Sequence, residues 1–203
     1  MRRFMQAIRF EKKVILIATL IFILFSIVGF VASDPINESL KQAGVWEQFQ
    51  QKVEDIKQDP GLLNVFQVIL SNNLLATASM IGLGLFFGVY PVIGLAFNGL
   101  LLGVVIGISS EQTGSSPVTL FVTQILPHGI LELPALIFAA ALGIRLGILS
   151  MGTLAGLGSA VIRKRNQSAW KAYLERVPSL VIGVAVMLTV AAFIESSLIV
   201  YFS

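Results

Sequence analysis

The sequence predicts an all-α polytopic membrane protein: a bundle of about five transmembrane spans plus one broken or re-entrant helix, with a cytoplasmic N-terminus. Three observations lead there. The 203 residues are 56% hydrophobic and 12% charged, with a mean hydropathy of +0.87. Several apolar runs approach or exceed the roughly 18 to 20 residues that cross a bilayer. Lys and Arg cluster in residues 2–13 and 163–176, which the positive-inside bias assigns to cytoplasmic faces and not to a nucleic-acid surface. The chain 1–203 is read as a single transmembrane domain with an extracytoplasmic amphipathic segment, 34–60, and a cytoplasmic basic segment, 163–176. There is no cysteine, which excludes disulfides, thiolate metal centres and cysteine nucleophiles.

Residues 1–13 carry Arg2, Arg3, Arg9, Lys12 and Lys13 against Glu11, and Val14 to Ala32 is almost wholly apolar. That run exceeds the apolar core of a typical signal peptide, so it is read as an uncleaved first span. Asp34-Pro35 reads as N-cap and N1, opening a stretch with six acids against three lysines. Val45, Trp46, Phe49, Val53 and Ile56 recur there at near-helical spacing, as on an amphipathic helix resting on the membrane or the bundle. Asp59-Pro60 repeats the capping signal, and Asn64, Gln67 and Ser71 share a face of the helix that follows. Pro91 marks a tight turn before a third span, Val92 to Ile108. Gly99, Gly103 and Gly107 lie four apart in it, with Gly84 and Gly88 likewise before it, ridges that let helices approach closely. Asn98 is expected to hydrogen-bond across helices or to serve a ligand.

Ser116-Pro117 caps the next helix. From Asn64 to Ile162 the only formal charges are Glu111, Glu132 and Arg145. Gln124, His128 and Glu132 are four apart, so a continuous helix would place them on one face. Pro127, Gly129 and Pro134 argue for an interruption. The preferred layout makes 117–126 and 130–143 re-entrant half-helices, with 147–162 as the span and Arg145 on the outer side. The alternative is a kinked span over 117–143 with Arg145 inside. Residues 163–176 read as an interfacial helix with Trp170 and Tyr173 at the headgroups. Pro178 starts the last span, and Glu195 in its outer third is a candidate partner for Arg145. Polar groups beside a broken backbone in apolar sequence mark a candidate functional site: Gln124, His128, Gly129, Glu132, Pro134, Arg145, Asn98 and Glu195.

The run P-H-G-I-L-E-L-P-A at 127–135, followed by G-I-R-L-G at 143–147, resembles the signature of the stage II sporulation protein M family of prokaryotic integral membrane proteins. Asn98 with its following glycines, and a first span followed by an extracytoplasmic segment, fit the same pattern. The resemblance implies a multi-pass protein of the plasma membrane. Named sporulation members are membrane scaffolds in a septal complex with peptidoglycan-degrading partners; members carrying the His-Gly…Glu motif occur more broadly.

Three functions compete for the polar cluster. A scaffold or assembly factor would use His128 and Glu132 to satisfy the broken helix, and this is the preferred reading. A solute or ion pathway would line a midplane site with Gln124, His128, Glu132 and Asn98. An intramembrane metal hydrolase ranks last, because catalytic zinc takes about three protein ligands and the chain has one histidine, no cysteine and no HExxH. No catalytic, cofactor or metal residue is assigned, and the assignment leans away from an enzyme. The expected partners are the bilayer and other proteins or further copies of the chain, with no nucleic acid.

Overall fold

The computed structural model describes residues 2–202, and among these the side chains of all but Arg2, Arg3 and His128. Helix α1 (Arg2–Val31) leads into α2 (Ser33–Gln42) and α3 (Val45–Gln58) at one end of the bundle. Then α4 (Leu62–Leu83), a tight turn and α5 (Val89–Thr113) form a hairpin. A helical path follows through α6 (Pro117–Leu120), a π-helical turn (Phe121–Ile125) and α7 (Leu126–Ala155), before α8 (Ala160–Phe202). Five of these helices are long and apolar enough to span a membrane. The N-terminal part of α1 and residues 163–176 share one end, where Ala7 packs with Tyr173 and Phe10 meets Arg176.

Glycine sets the helix spacing. α1 packs along α5, and a Cβ at Gly99 or Gly103 would strike the backbone of Phe22 or Ser26. Small residues at such seams let backbones meet, which is how helices gain dispersion energy where lipid gives no hydrophobic drive. Gly84 and Gly88 lie in the α4–α5 turn and not in a helical ridge. Gly84 abuts Gly143, and Gly88, at φ 73°, abuts Ile144 and Gly147 of α7. The glycines of G-I-R-L-G therefore seat α7 against that turn.

α7 is the central helix: half of its spanning window is buried, against 17% to 28% for the other four. Val14, Ala18 and Phe22 of α1 pack with Met80, Leu95, Leu136 and Ala140. Ala135 and Ala139 of α7 pack with Leu188 and Val184 of α8, the order of antiparallel neighbours.

The re-entrant layout is corrected here. The interruption is a single π turn, where Leu126 N–H donates to Phe121 O, and α7 continues without a break through Pro127, Gly129 and Pro134. The path crosses once, as a kinked span that carries Arg145 to the basic end. Pro127 lacks the donor for a carbonyl one turn back, and one extra residue in the turn accommodates its ring. Residues 147–162 are not a span: α7 ends at Ala155 and α8 begins at Ala160. Gly152 and Gly156 instead receive Asn166 and Arg163 across that hairpin. Pro178 lies inside α8 and does not start it.

Other local signals shift by a residue or two. Asp34 and Pro35 fall within the first turn of α2, whose N-cap is Ala32. The N-cap of α4 is Gly61, with Asp59 Oδ1 accepting its N–H at 3.2 Å. Ser116 caps as expected, its Oγ accepting from Thr119 N–H at 3.1 Å.

Candidate functional site

Two polar assemblies lie inside the bundle. The first is a cavity of about 290 Å³ in the outer half, between α4, α5 and α7. Its polar lining comes from Asn72, Asn73, Thr77, Asn98 and Glu132, with Gly129 beside them. Phe49 of α3 also lines it, and Lys52, one turn on, bonds Asn72 Oδ1. The amphipathic helix is thus a roof over the site, with Trp46 Nε1 donating to Asn37 Oδ1 of α2 at 2.9 Å. Asn98 and Glu132, on helices distant in sequence, meet there because the glycine seams hold α5 and α7 at fixed depth.

Among the described residues Asn98 shows no hydrogen bond across helices. Its Nδ2 donates to Gly94 O of its own helix at 2.8 Å. Thr77 likewise donates its hydroxyl to Asn73 O at 2.8 Å. Gln124 sits on the π turn, is exposed, and is not among the residues that line the cavity with Glu132. Pro134 is half-buried in α7, where its missing N–H leaves Ile130 O without a helical donor. The His128 side chain lies outside the described residues. Glu195 is half-buried near the outer end of α8, close to Phe193, which meets Phe66 edge-on.

The second assembly is at the basic end, and it corrects the placement of Arg145. Arg145 Nε lies 3.6 Å from Glu11 Oε2 of α1, with side chains 24% and 4% exposed. Glu195, at the opposite end, is not its partner. Glu11 Oε1 and Arg145 Nε have no hydrogen-bond partner, so the attraction is coulombic, at a distance beyond hydrogen-bond range. The Arg176 guanidinium stacks 3.5 Å over the Phe10 ring.

Tyr173 is buried, not at an exposed surface, and donates to Leu142 O at 3.1 Å; Trp170, half-buried, donates its Nε1–H to Thr153 Oγ1 at 3.0 Å. These contacts tie α1, α7 and α8 together. Tyr173→Phe is expected to cost about 1 to 2 kcal/mol by leaving a buried carbonyl unpaired, read as a lowered Tm of the detergent-purified protein. The charge on Glu11 was visible in the sequence as one acid among five bases; its burial was not.

The comparisons with known proteins agree with this architecture. The family model described as stage II sporulation protein M matches residues 18–198. An uncharacterised protein of Methanocaldococcus jannaschii is 37% identical over 87 residues, covering 43% of this chain and 48% of that protein. A second uncharacterised protein of the same organism is 26% identical over 191 residues, covering 93% of this chain and 82% of its own length. The chain thus spans about half of the first relative and most of the second. No solved structure matches. With the family model covering nearly the whole bundle, including both signature segments of α7, the chain belongs to the stage II sporulation protein M family.

Proposed function

We propose that this is a ligand-binding protein of the prokaryotic plasma membrane, a component of a small-solute or ion pathway whose site is the outer cavity. One observation supports it above others. Asn98, Gly129 and Glu132 converge on a polar cavity, inside a bundle whose packed clusters are apolar. Polar groups at this depth are costly in lipid and are kept where protein or water surrounds them. His128 and Glu132 stand four apart on α7, and a histidine near such a carboxylate is suited to proton coupling.

The native absence of cysteine makes the test direct. Asn98→Cys is expected to react with a membrane-impermeant maleimide added outside intact cells, whereas Ala140→Cys, in the closed core, stays unlabelled. Failure of Asn98→Cys to label would remove the outward-facing site.

A scaffold or assembly role is the second reading, and a separate observation favours it. Below the cavity Met80, Leu95, Leu136 and Ala140 pack the bundle shut, so a pathway across the membrane requires a rearrangement, a further copy or a protein partner. His128→Ala distinguishes the two. Loss of transport by reconstituted protein with fold and partner capture unchanged supports the pathway; loss of partner capture alone supports the scaffold.

A further inference from the structure

We infer that a lipid with a primary-ammonium headgroup binds along the α1–α5 seam, its chain in an apolar groove and its ammonium between Asp34 and Glu111. The groove, of about 470 Å³, is walled by α1, α5 and the segment of α6 and the π turn. Phe22, Ile27 and Phe30 of α1 line it with Leu102 of α5, and Val118 and Phe121 belong to the third wall. Its one polar side chain, Ser26, donates its hydroxyl to Phe22 O at 2.8 Å. The groove therefore suits a hydrocarbon chain.

Farther along α1 from Glu11, the same seam opens into a polar pocket of about 260 Å³. Phe30 borders both spaces, and Gly103 of the groove is followed one turn on by Gly107 of the pocket. Asp34, Glu111, Ser33 and Ser110 line that pocket. Ser33 is 5% exposed, and among the described residues its hydroxyl has no hydrogen-bond partner. Gly107 gives that hydroxyl its room, since a Cβ there would lie 2.9 Å from Ser33 Oγ. Ser110 spends its proton on Ser115 O at 2.8 Å, so its oxygen only accepts. Asp34 and Glu111 are exposed, and among the described residues neither is in an ion pair. No lysine or arginine borders the pocket, and the base nearest Asp34 in the chain, Lys41, is held by Glu38 at 2.9 Å.

Charge and length together identify the occupant. The two carboxylates attract a cation, and a primary ammonium has three donors to share among them and Ser110 Oγ. Ser33 keeps its own proton for the phosphate oxygens beside the ammonium. From Phe22 to Phe30 α1 rises about 12 Å, close to the roughly 15 Å of one hydrocarbon leaflet. A lipid chain fills that depth, whereas a second spanning helix needs a groove about twice as long. Bulk lipid is as apolar as the groove, so the headgroup sets the preference. The site is independent of the Asn98 cavity, which neither acid lines.

The test is native mass spectrometry of the full chain in detergent, with dioleoyl phosphatidylethanolamine, phosphatidylcholine and phosphatidylglycerol added in equal amounts. Phosphatidylethanolamine is expected to be retained about three- to tenfold over either competitor, the range of two exposed charge pairs. Asp34→Asn with Glu111→Gln is expected to bring that ratio to about one; Glu111→Gln alone serves if the double variant does not elute as folded protein. Val118 of the groove and Leu75 outside it are both 71% exposed. Val118→Trp is expected to displace retained lipid of every headgroup, and Leu75→Trp to leave it in place. Equal retention of the three lipids, or a preference for phosphatidylglycerol, would overturn the ammonium pocket. Retention that survives Val118→Trp would overturn the groove. A lipid-free dimer abolished by Val118→Trp would put a second copy of the chain where the lipid is proposed.

Discussion

Gly103→Leu is expected to prevent recovery of folded protein. A Cβ at this position would meet Ser26 O and come within 2.6 Å of Phe30 N and 2.9 Å of Gly29 C, all backbone atoms of α1. Side chains can rotate away from an inserted methyl group; a facing helix backbone cannot, so α1 and α5 must separate along their seam. Overpacking of a core costs about 1 to 3 kcal/mol, occasionally more, and a backbone obstacle places this substitution at about 3 kcal/mol or above. Gly82→Ala is the control: open space surrounds its added Cβ, and a helical alanine gains about 0.5 to 1 kcal/mol over glycine. Size-exclusion profiles and Tm in detergent check both. A folded, stable Gly103→Leu protein would show that the α1–α5 seam is looser than its glycines require.

Glu11→Ala is the second large effect. It leaves Arg145 three-quarters buried without the one carboxylate in ion-pair range of it among the described residues. Breaking a buried ion pair by removing one partner costs about 3 to 5 kcal/mol; the residual exposure of Arg145 and the 3.6 Å separation put this pair at about 2 to 3 kcal/mol. Replacing both, as Glu11→Leu with Arg145→Met, is expected to restore most of that loss, because apolar packing avoids the desolvation of two charges. Thermal melts of the two single variants and the double variant close the cycle. A single variant as stable as the parent would mean that Arg145 reaches headgroups or solvent instead of Glu11.

Much of the bundle was legible in the sequence, and particular residues show why. Four of the five spans follow from apolar run length, whereas the fourth along the chain is α7 and not residues 147–162. The Gly99-Gly103-Gly107 seam follows from spacing alone. Ser116-Pro117 was read as a cap and is one. Pro127 and Gly129 signalled an interruption, but placed it wrongly. Proline rules say that a backbone donor is missing; they do not say that a π turn two to six residues earlier will absorb the ring and let the helix run on. Trp170 and Tyr173 read as headgroup anchors because amphipathic aromatics near basic residues usually are. The α7–α8 hairpin, closed on Gly152 and Gly156, buries Tyr173 and leaves Trp170 half-buried against Thr153.

For the candidate site, Asn98, Gly129 and Glu132 were named from composition, and they line one cavity. The roof was missed. Phe49 and Lys52 looked like one side of a surface helix, and only the return of the chain through Asp59 and Gly61 lays that helix over Asn72. Glu11 was missed as well, since an acid within a basic N-terminal segment gives no local sign of burial.

By itself the sequence determined the membrane class, the number of spans, and where helices touch closely. These depend on hydropathy and the absence of a Cβ, properties that act locally. The tertiary structure alone decided which polar groups meet: Arg145 with Glu11 and not Glu195, and Glu132 with Asn98 at a cavity that Gln124 does not line. Such pairings depend on the relative depth and rotation of helices far apart in the chain, and a single inserted residue turns a helix face by about 100°.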